Sequence, residues 1–217
     1  PFGEEYTLVS IADYLLSRVY NEALNTGKSI EEVAAPYQLV TSSNLSSSRA
    51  LRDVTEQYGG EYYAAAVGEV NVTTKMREVG ALIGGEGNGG VIYPALHYGR
   101  DAMVGVALFL TNLAYKKMKV SELRATYPEY VIAKNKIELS DSALIDKILD
   151  EIKKVYAAED INTIDGVKIS FEAKKEWVHL RKSNTEPIIR IYAEAASQEA
   201  ADALAQQIID IANSIIK

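Results

Sequence analysis

Two short stretches hold the residues best suited to chemistry. Gly84-Gly85-Glu86-Gly87-Asn88-Gly89-Gly90 sets one carboxylate and one amide among five glycines. Glycine frees the backbone and lets a ligand approach closely. A carboxylate accepts hydrogen bonds, and an amide both donates and accepts, so Glu86 and Asn88 suit paired hydroxyls such as those of a sugar. The stretch is not a nucleotide-binding fingerprint, because no Lys-Ser/Thr pair ends it and no helix opens directly after it. Read plainly, it is a flexible hairpin with Glu86 solvated. The second stretch is Arg181-Lys182-Ser183-Asn184-Thr185-Glu186-Pro187-Ile188-Ile189-Arg190. Hydroxyls and turn amides donate hydrogen bonds, and concave turns of this kind bind anions. Arginine adds a charged planar fork that matches phosphate oxygens. Arg181, Ser183, Asn184 and Thr185 therefore suit a phosphate cradle, with Arg190 close behind. The plain alternative is an ordinary hairpin, since Ser, Asn, Thr and Pro populate turns anyway.

The elements that must position these stretches follow from periodicity. Leu8, Ile11, Ala12, Leu15, Leu16 and Val19 give one buried face of a helix over 5–21. Short strands are expected at 37–40, 62–67, 81–83 and 91–93, with helices on Leu51, Val54 and Tyr58 and on Val72, Met76 and Val79. The serine-rich run 41–48 reads as a polar stretch that caps the helix after it, and Asn71 as a cap of the next. A nearly all-apolar helix starts at Asp101, which suggests burial between layers or against another domain. Arg100, just before it, could reach a ligand phosphate or could be an ordinary surface arginine. Strands alternate with helices to about Ala114, the α/β pattern.

The pattern then changes. A strand at 130–139, a helix at 141–156, an alternating strand from Val167 to Phe171, two strands flanking Arg181–Arg190 and a last helix capped by Ser197 suggest an antiparallel sheet covered on one face. The expected fold class is an α/β domain, with a mixed sheet flanked by helices, followed by a smaller α+β domain. The second sheet is expected to have four mainly antiparallel strands and two helices. Boundaries fall at 1–120, a linker at 121–130, and 131–217. Trp177, His179 and Arg181 alternate along one strand and should share a face, with His179 as a packed residue.

The chain has 217 residues, 47% of them hydrophobic, and a net charge of −7 from 23 basic and 30 acidic side chains. Nothing in the order of residues resembles a basic stripe, so nucleic acid is not an expected partner. A phosphate site must be built locally, against the overall field. The absence of cysteine excludes disulfides and thiol chemistry and fits a reducing, cytoplasmic setting. The longest apolar run, Ala102 to Leu110, is too short to span a bilayer, and no segment reads as a signal peptide. The first residue is Pro1, already on the run into a helix, so an upstream part of a longer protein is expected.

Taken together, Gly84-Gly85-Glu86-Gly87-Asn88-Gly89 and, roughly a hundred residues later, Arg181-x-Ser183-Asn184-Thr185-Glu186-Pro187 resemble the α-D-phosphohexomutase family. Gly3-Glu4-Glu5, Val67-Gly68-Glu69-Val70-Asn71-Val72 and Gly99-Arg100-Asp101 add to the resemblance, which covers essentially the whole chain. It corresponds to the third and fourth of the family's four domains. Such enzymes are isomerases that move a phosphoryl group between the 1- and 6-oxygens of an aldohexose phosphate. The resemblance implies that Glu86 and Asn88 contact sugar hydroxyls. It implies that Arg181, Ser183, Asn184 and Thr185, assisted by Arg190, hold the non-reacting phosphate. It further implies a phosphoserine in a Ser-His-Asn-Pro-like loop, Mg2+ on an Asp-x-Asp-x-Asp run, and a hexose 1,6-bisphosphate as activator or intermediate. Neither that loop nor that run occurs in these 217 residues. The expectation is therefore a fragment that recognises substrate, with domains one and two of the same chain as its partners, and with no mutase activity alone. The alternative is a non-catalytic phosphosugar-binding module. Asn184 resembles phosphomannomutase/phosphoglucomutase relatives, whereas Asn88 resembles a branch that includes phosphoglucosamine mutases, so mannose, glucose and glucosamine phosphates stay open as substrates.

Overall fold

A computed structural model describes residues 2–139, 143–183 and 188–216. The chain forms two compact units, 1–128 and 129–217.

The first unit is a four-stranded mixed sheet in the order β2-β1-β3-β4. Strands β1 (Gln38–Asn44), β2 (Glu61–Ala65) and β3 (Ala81–Glu86) run parallel, and β4 (Gly90–Ile92) runs antiparallel to β3. Helix α4 (Glu69–Val79) packs one face through Val72 and Met76, against Val40, Ala65, Ala81 and Ile92. Helices α1 (Glu4–Thr26), α3 (Ala50–Gln57) and α5 (Ala102–Lys116) form the other layer. α1 outruns its apolar stripe because nothing stops it before Gly27, which closes it in the left-handed region at φ 69°. A short helix unforeseen in the sequence, α2 (Ile30–Ala34), is held by a capping box. Glu32 N–H donates to Ser29 Oγ, and Ser29 N–H donates to the Glu32 carboxylate.

Two local expectations are corrected, and for α5 one of its two alternatives, burial between the layers of its own unit, is not found. Of the polar run 41–48, expected to cap the helix after it, Thr41–Asn44 is instead the buried second half of β1. Two of its three hydroxyls find partners, whereas the buried Ser42 Oγ has none among the described residues. Thr55 Oγ1 donates to Leu51 O, so Thr41 Oγ1 donates to Thr55 at 2.6 Å, and Ser43 Oγ bonds Tyr62 OH at 2.9 Å. Asn71 is no cap: α4 starts after Gly68, and Asn71 Nδ2 donates to Val67 O. Within its unit α5 is buried only at Gly105 and Asn112, while Met103, Val106 and Leu110 are exposed.

The stretch after α5 is part of the first unit. Helix α6 (Val120–Ala125) buries Leu123, and Tyr127 OH donates to Asp13 at 2.8 Å. The Asp13 carboxylate also accepts from Tyr58 OH at 2.7 Å and from Lys116 Nζ. Burial, then the Asp13 carboxylate, pushes both tyrosine hydroxyls well above their usual range. Tyr6 OH donates to Pro128 O. Residues 121–128, expected as linker, are thus tied to α1.

The second unit is an antiparallel sheet in the order β5-β9-β8-β7-β6. Its strands are β5 (Val131–Glu138), β6 (Asp160–Asn162), β7 (Val167–Phe171), β8 (Glu176–Lys182) and β9 (Ile188–Ala195). Four of them match the expected set. The fifth, β6, is a three-residue edge too short to show a period. Helices α7 (Ala143–Val155) and α8 (Gln198–Ile216) cover one face, with Ile145, Ile148, Ile152, Ala205 and Ile208 packed on Ile169, Val178, Leu180, Ile189 and Ile191. Ala200 N–H donates to Ser197 Oγ, the expected cap.

Candidate functional site

Glu86 is the last residue of β3, and Asn44 is the last of its parallel neighbour β1. Ligands of open α/β sheets bind outside the carboxyl ends of such strands. Although it leads a glycine-rich stretch, Glu86 is only 5% exposed. Asn44 Nδ2 donates to its Oε1 at 2.9 Å, and Arg100 donates to its Oε2 at 3.4 Å. A carboxylate accepts about four hydrogen bonds, so two bonds fix it without exhausting it.

Each support is itself held. Asn44 Oδ1 accepts from Ser46 N–H at 2.9 Å and from Ser47 Oγ at 3.1 Å, while Ser47 Oγ accepts from Gly87 N–H at 2.9 Å. Glu5 at the start of α1 accepts from Ser48 N–H at 2.8 Å and lies against Gly87. A Cβ on Gly87 would meet that carboxylate at 2.0 Å, and one on Gly85 would meet Gly90 O at 1.9 Å. Close approach, rather than flexibility, is what these glycines provide. Arg100 donates through Nε to Glu69 at 2.8 Å and through its backbone N–H at 3.1 Å. Those two bonds, the backbone one first, hold the Glu69 carboxyl below its usual range. Asp101 caps α5 by accepting from Met103 and Val104 N–H. The Val104 N–H, followed by His97, lowers its carboxyl.

Asn88 is exposed, and its Oδ1 accepts from Gly90 N–H at 3.1 Å. A cavity of about 490 Å³ lies beside it, lined by Glu69, Asn88, Gly90, Arg100 and Asp101 among others. Glu86, Asn88 and Arg100 therefore come together. Asn44, Ser47, Glu5 and Glu69 had no assigned role in the sequence. The only signal for Asn44 was a polar run directly after an apolar strand.

In the second unit Arg181 lies near the end of β8, directly opposite Arg190 of β9. Ser183 is buried, and its N–H donates to Ile188 O at 3.0 Å, closing the hairpin. Asn184 and Thr185, with Glu186 and Pro187, lie outside the described residues. Arg181 is 3.7 Å from the Asp165 carboxylate. A cavity of about 350 Å³ beside Arg190 is lined by Lys134, Lys136, Ile188 and Tyr192 among others. Trp177, His179 and Arg181 share a face, because each pairs with Glu194, Tyr192 and Arg190 in turn. His179 Nε2–H donates to Asp165 O at 2.6 Å, and burial depresses the imidazole pKa to about 4. It is a neutral packed residue, not a general base at neutral pH.

Among the described residues no group of three His, Cys, Asp or Glu side chains could hold a metal ion. The chain's described residues thus do not fit a magnesium site. No helix among them is long and apolar enough to cross a membrane.

Comparison with known proteins agrees with this architecture. Residues 5–130 match the family profile described as phosphoglucomutase/phosphomannomutase, alpha/beta/alpha domain III. Residues 135–211 match phosphoglucomutase/phosphomannomutase, C-terminal domain. The chain belongs to this family, the α-D-phosphohexomutases, and corresponds to its C-terminal half. It is 35% identical over 182 residues to a phosphoglucosamine/phosphogalactosamine mutase of Sulfurisphaera tokodaii, covering 83% of this chain and 39% of that protein. It is 36% identical over 161 residues to a phosphoglucomutase/phosphomannomutase of Thermococcus kodakarensis, covering 73% of this chain and 34% of that protein. A crystal structure of a phosphoglucomutase/phosphomannomutase family protein from Burkholderia thailandensis superposes with a TM-score of 0.71 at 24% identity, over 96% of this chain and 40% of that one. That likeness concerns the fold. The chain spans about two fifths of the length of the curated relatives it matches.

Proposed function

We propose that this chain is the substrate-recognition half of a phosphohexomutase that interconverts the 1- and 6-phosphates of an aldohexose. Glu86 and Asn88 contact sugar hydroxyls. Arg181, Ser183, Asn184 and Thr185, with Arg190, anchor the phosphate that does not react, and Arg100 orients Glu86. The observation that carries this reading is the Glu86 carboxylate, fixed by Asn44 and Arg100 at the strand ends beside a cavity that Asn88 lines. An acceptor held ready before the ligand arrives suits hydroxyls, which bring no charge of their own. In phosphoryl transfer, positioning contributes much of the rate, so a half that only holds substrate has a physical purpose.

The chemistry itself belongs to residues outside these 217. Neither a Ser-His-Asn-Pro loop nor an Asp-x-Asp-x-Asp run is present. Mg2+, the phosphoserine and the bisphosphate act with domains one and two. The names of the relatives favour an amino sugar, and glucosamine 6-phosphate is the first substrate to test, ahead of mannose and glucose 6-phosphates.

Calorimetric titration of the 217-residue chain with those three sugar phosphates tests the reading. Saturable binding at millimolar ligand is expected, and Arg181→Ala should weaken it by about 1.5–3 kcal/mol, the contribution of a charge-assisted hydrogen bond. Binding unchanged in Arg181→Ala would remove the phosphate assignment. Interconversion of the phosphates by the isolated chain, given Mg2+ and a bisphosphate, would remove the assignment as a recognition half.

A further inference from the structure

The sheet of the second unit has one face under α7 and α8, and among the described residues of that unit no α-helix covers the other. Residues paired across an antiparallel ladder point to the same face, and neighbours along a strand alternate. Ala133 and Ile137 of β5, Ile189 and Ile191 of β9, and Val178 and Leu180 of β8 lie in the helix-covered core. The alternate positions share the other face, and they bring Lys134, Lys136, Arg190, Arg181 and Lys168 together from four strands. Chain order hides this grouping, which is why no basic stripe is visible in the sequence.

One row on this face is unusual. Lys136 is paired directly with Arg190, and Arg190 directly with Arg181. Neighbouring strands lie about 4.8 Å apart, so the backbones that carry these three cations span roughly 10 Å of sheet. Like charges directly opposite each other destabilise a sheet. They are only partly neutralised here. Lys136 Nζ meets Glu138 at 2.7 Å, Arg181 lies 3.7 Å from Asp165, and among the described residues no carboxylate pairs with Arg190. Lys134 is turned to the Tyr192 ring, 5.9 Å from its centroid. The cavity of about 350 Å³ opens where Lys136 and Arg190 stand. A chain of net charge −7 that gathers three cations in one row, beside a hollow, is arranged for an anion.

We propose that Lys136 binds the same phosphate group as Arg181 and Arg190, so that the phosphate rests on the helix-free face of the sheet over this row. The proposal depends on the reading above that a phosphate monoester binds at Arg181. The chemistry of lysine fits the place. Its ammonium carries three rotatable donors on a flexible stem, whereas the guanidinium is a fixed fork. A site that holds a 6-phosphate in one orientation of the sugar and a 1-phosphate in the other needs one contact that can follow the change.

The test uses the 217-residue chain, with calorimetry and phosphorus NMR reading the binding of inorganic phosphate and of glucosamine 6-phosphate. Lys136→Met should weaken both by roughly tenfold, one charge-assisted contact. Lys136→Arg should restore most of that loss. Lys153→Met, on the exposed side of α7 where Lys153 pairs with Asp150, should change neither. Backbone amide signals of 134–138 should move on phosphate addition and stay still in Lys136→Met. Weakening by Arg181→Ala without any effect of Lys136→Met would overturn the inference and leave the recognition reading standing. Wild-type chain that binds neither probe would overturn both. If Lys136→Met weakened a single-stranded oligonucleotide but not glucosamine 6-phosphate, the face would serve nucleic acid and the proposal would fail.

Discussion

Glu86 and Arg190 are both proposed to meet a ligand, yet the fold treats them in opposite ways. Glu86 sits at a strand end with both carboxylate oxygens bonded, one to Asn44 and one to Arg100. Arg100 is itself held by Glu69, and Asn44 by Ser46 and Ser47. Arg190 stands on an open sheet face between two other cations. On the proposed function, the difference follows from what each ligand brings. Neutral hydroxyls supply no field, so their acceptor must be fixed beforehand, at the expense of burying a charge that needs partners. A phosphate carries its own charge, so its site can be left electrostatically unbalanced until the phosphate arrives.

That contrast is open to being broken. Asn44→Ala removes the bond to Glu86 and frees the Ser46–Ser47 turn. The first unit should lose roughly 3–4 kcal/mol, the effect of stripping a partner from a buried charge and two turn bonds with it. Hydrogen exchange should show the loss at amides of β1 and β3, with β8 and β9 unchanged. Equal loosening of both units, or none, would deny that Glu86 is prearranged by Asn44.

In the second unit the buried group that matters to stability is not a ligand residue. His179 has its pKa depressed to about 4, chiefly by burial, from an unfolded value near 6.5. Below pH 6.5 the unfolded chain therefore binds a proton that the folded chain refuses. Stability is full above about pH 6.5 and falls as pH drops towards 4, by on the order of 3 kcal/mol in total, then levels off as far as this group is concerned. Denaturant titrations between pH 7 and 4 should show that slope in the wild type and lose it in His179→Gln. A slope unchanged in the variant would place the titration elsewhere.

Much of the framework was legible in the chain. Periodicity found α1, α4, α5, α7, α8 and most strands, since each carries enough apolar residues to show its period. β6 has three residues and shows none. α2 was missed although Ser29-x-x-Glu32 is a capping-box signature, because no apolar run follows it. The polar half of β1 misled for a physical reason. Thr41 and Ser43 look like residues of a polar connection until Thr55 and Tyr62, distant in sequence, provide hydroxyl partners. The site divides the same way. Glu86, Asn88, Arg181 and Arg190 announce themselves by residue type, in motifs. Asn44 and Glu69, which hold Glu86 and Arg100, and Lys136, proposed to join the phosphate row, are placed by long-range contact and register, and neither is written in local order.

The smallest effect is the sharpest test of the contrast. Arg190→Met keeps the apolar stem and removes only the charge. If Arg190 is held against its neighbours for the sake of a ligand, the ligand-free protein should gain stability from its loss, by about 0.2–1 kcal/mol at low ionic strength. The gain should shrink at 0.5 M salt, where a Debye length of only a few ångströms screens neighbouring strands from one another. The same variant should bind phosphosugar more weakly. A residue whose removal stabilises the fold and weakens the ligand has been placed for function, whereas Asn44→Ala should weaken both at once. If Arg190→Met instead destabilised the unliganded chain at every salt concentration, the arginine would be a structural member, and the two sites would be prearranged in the same way.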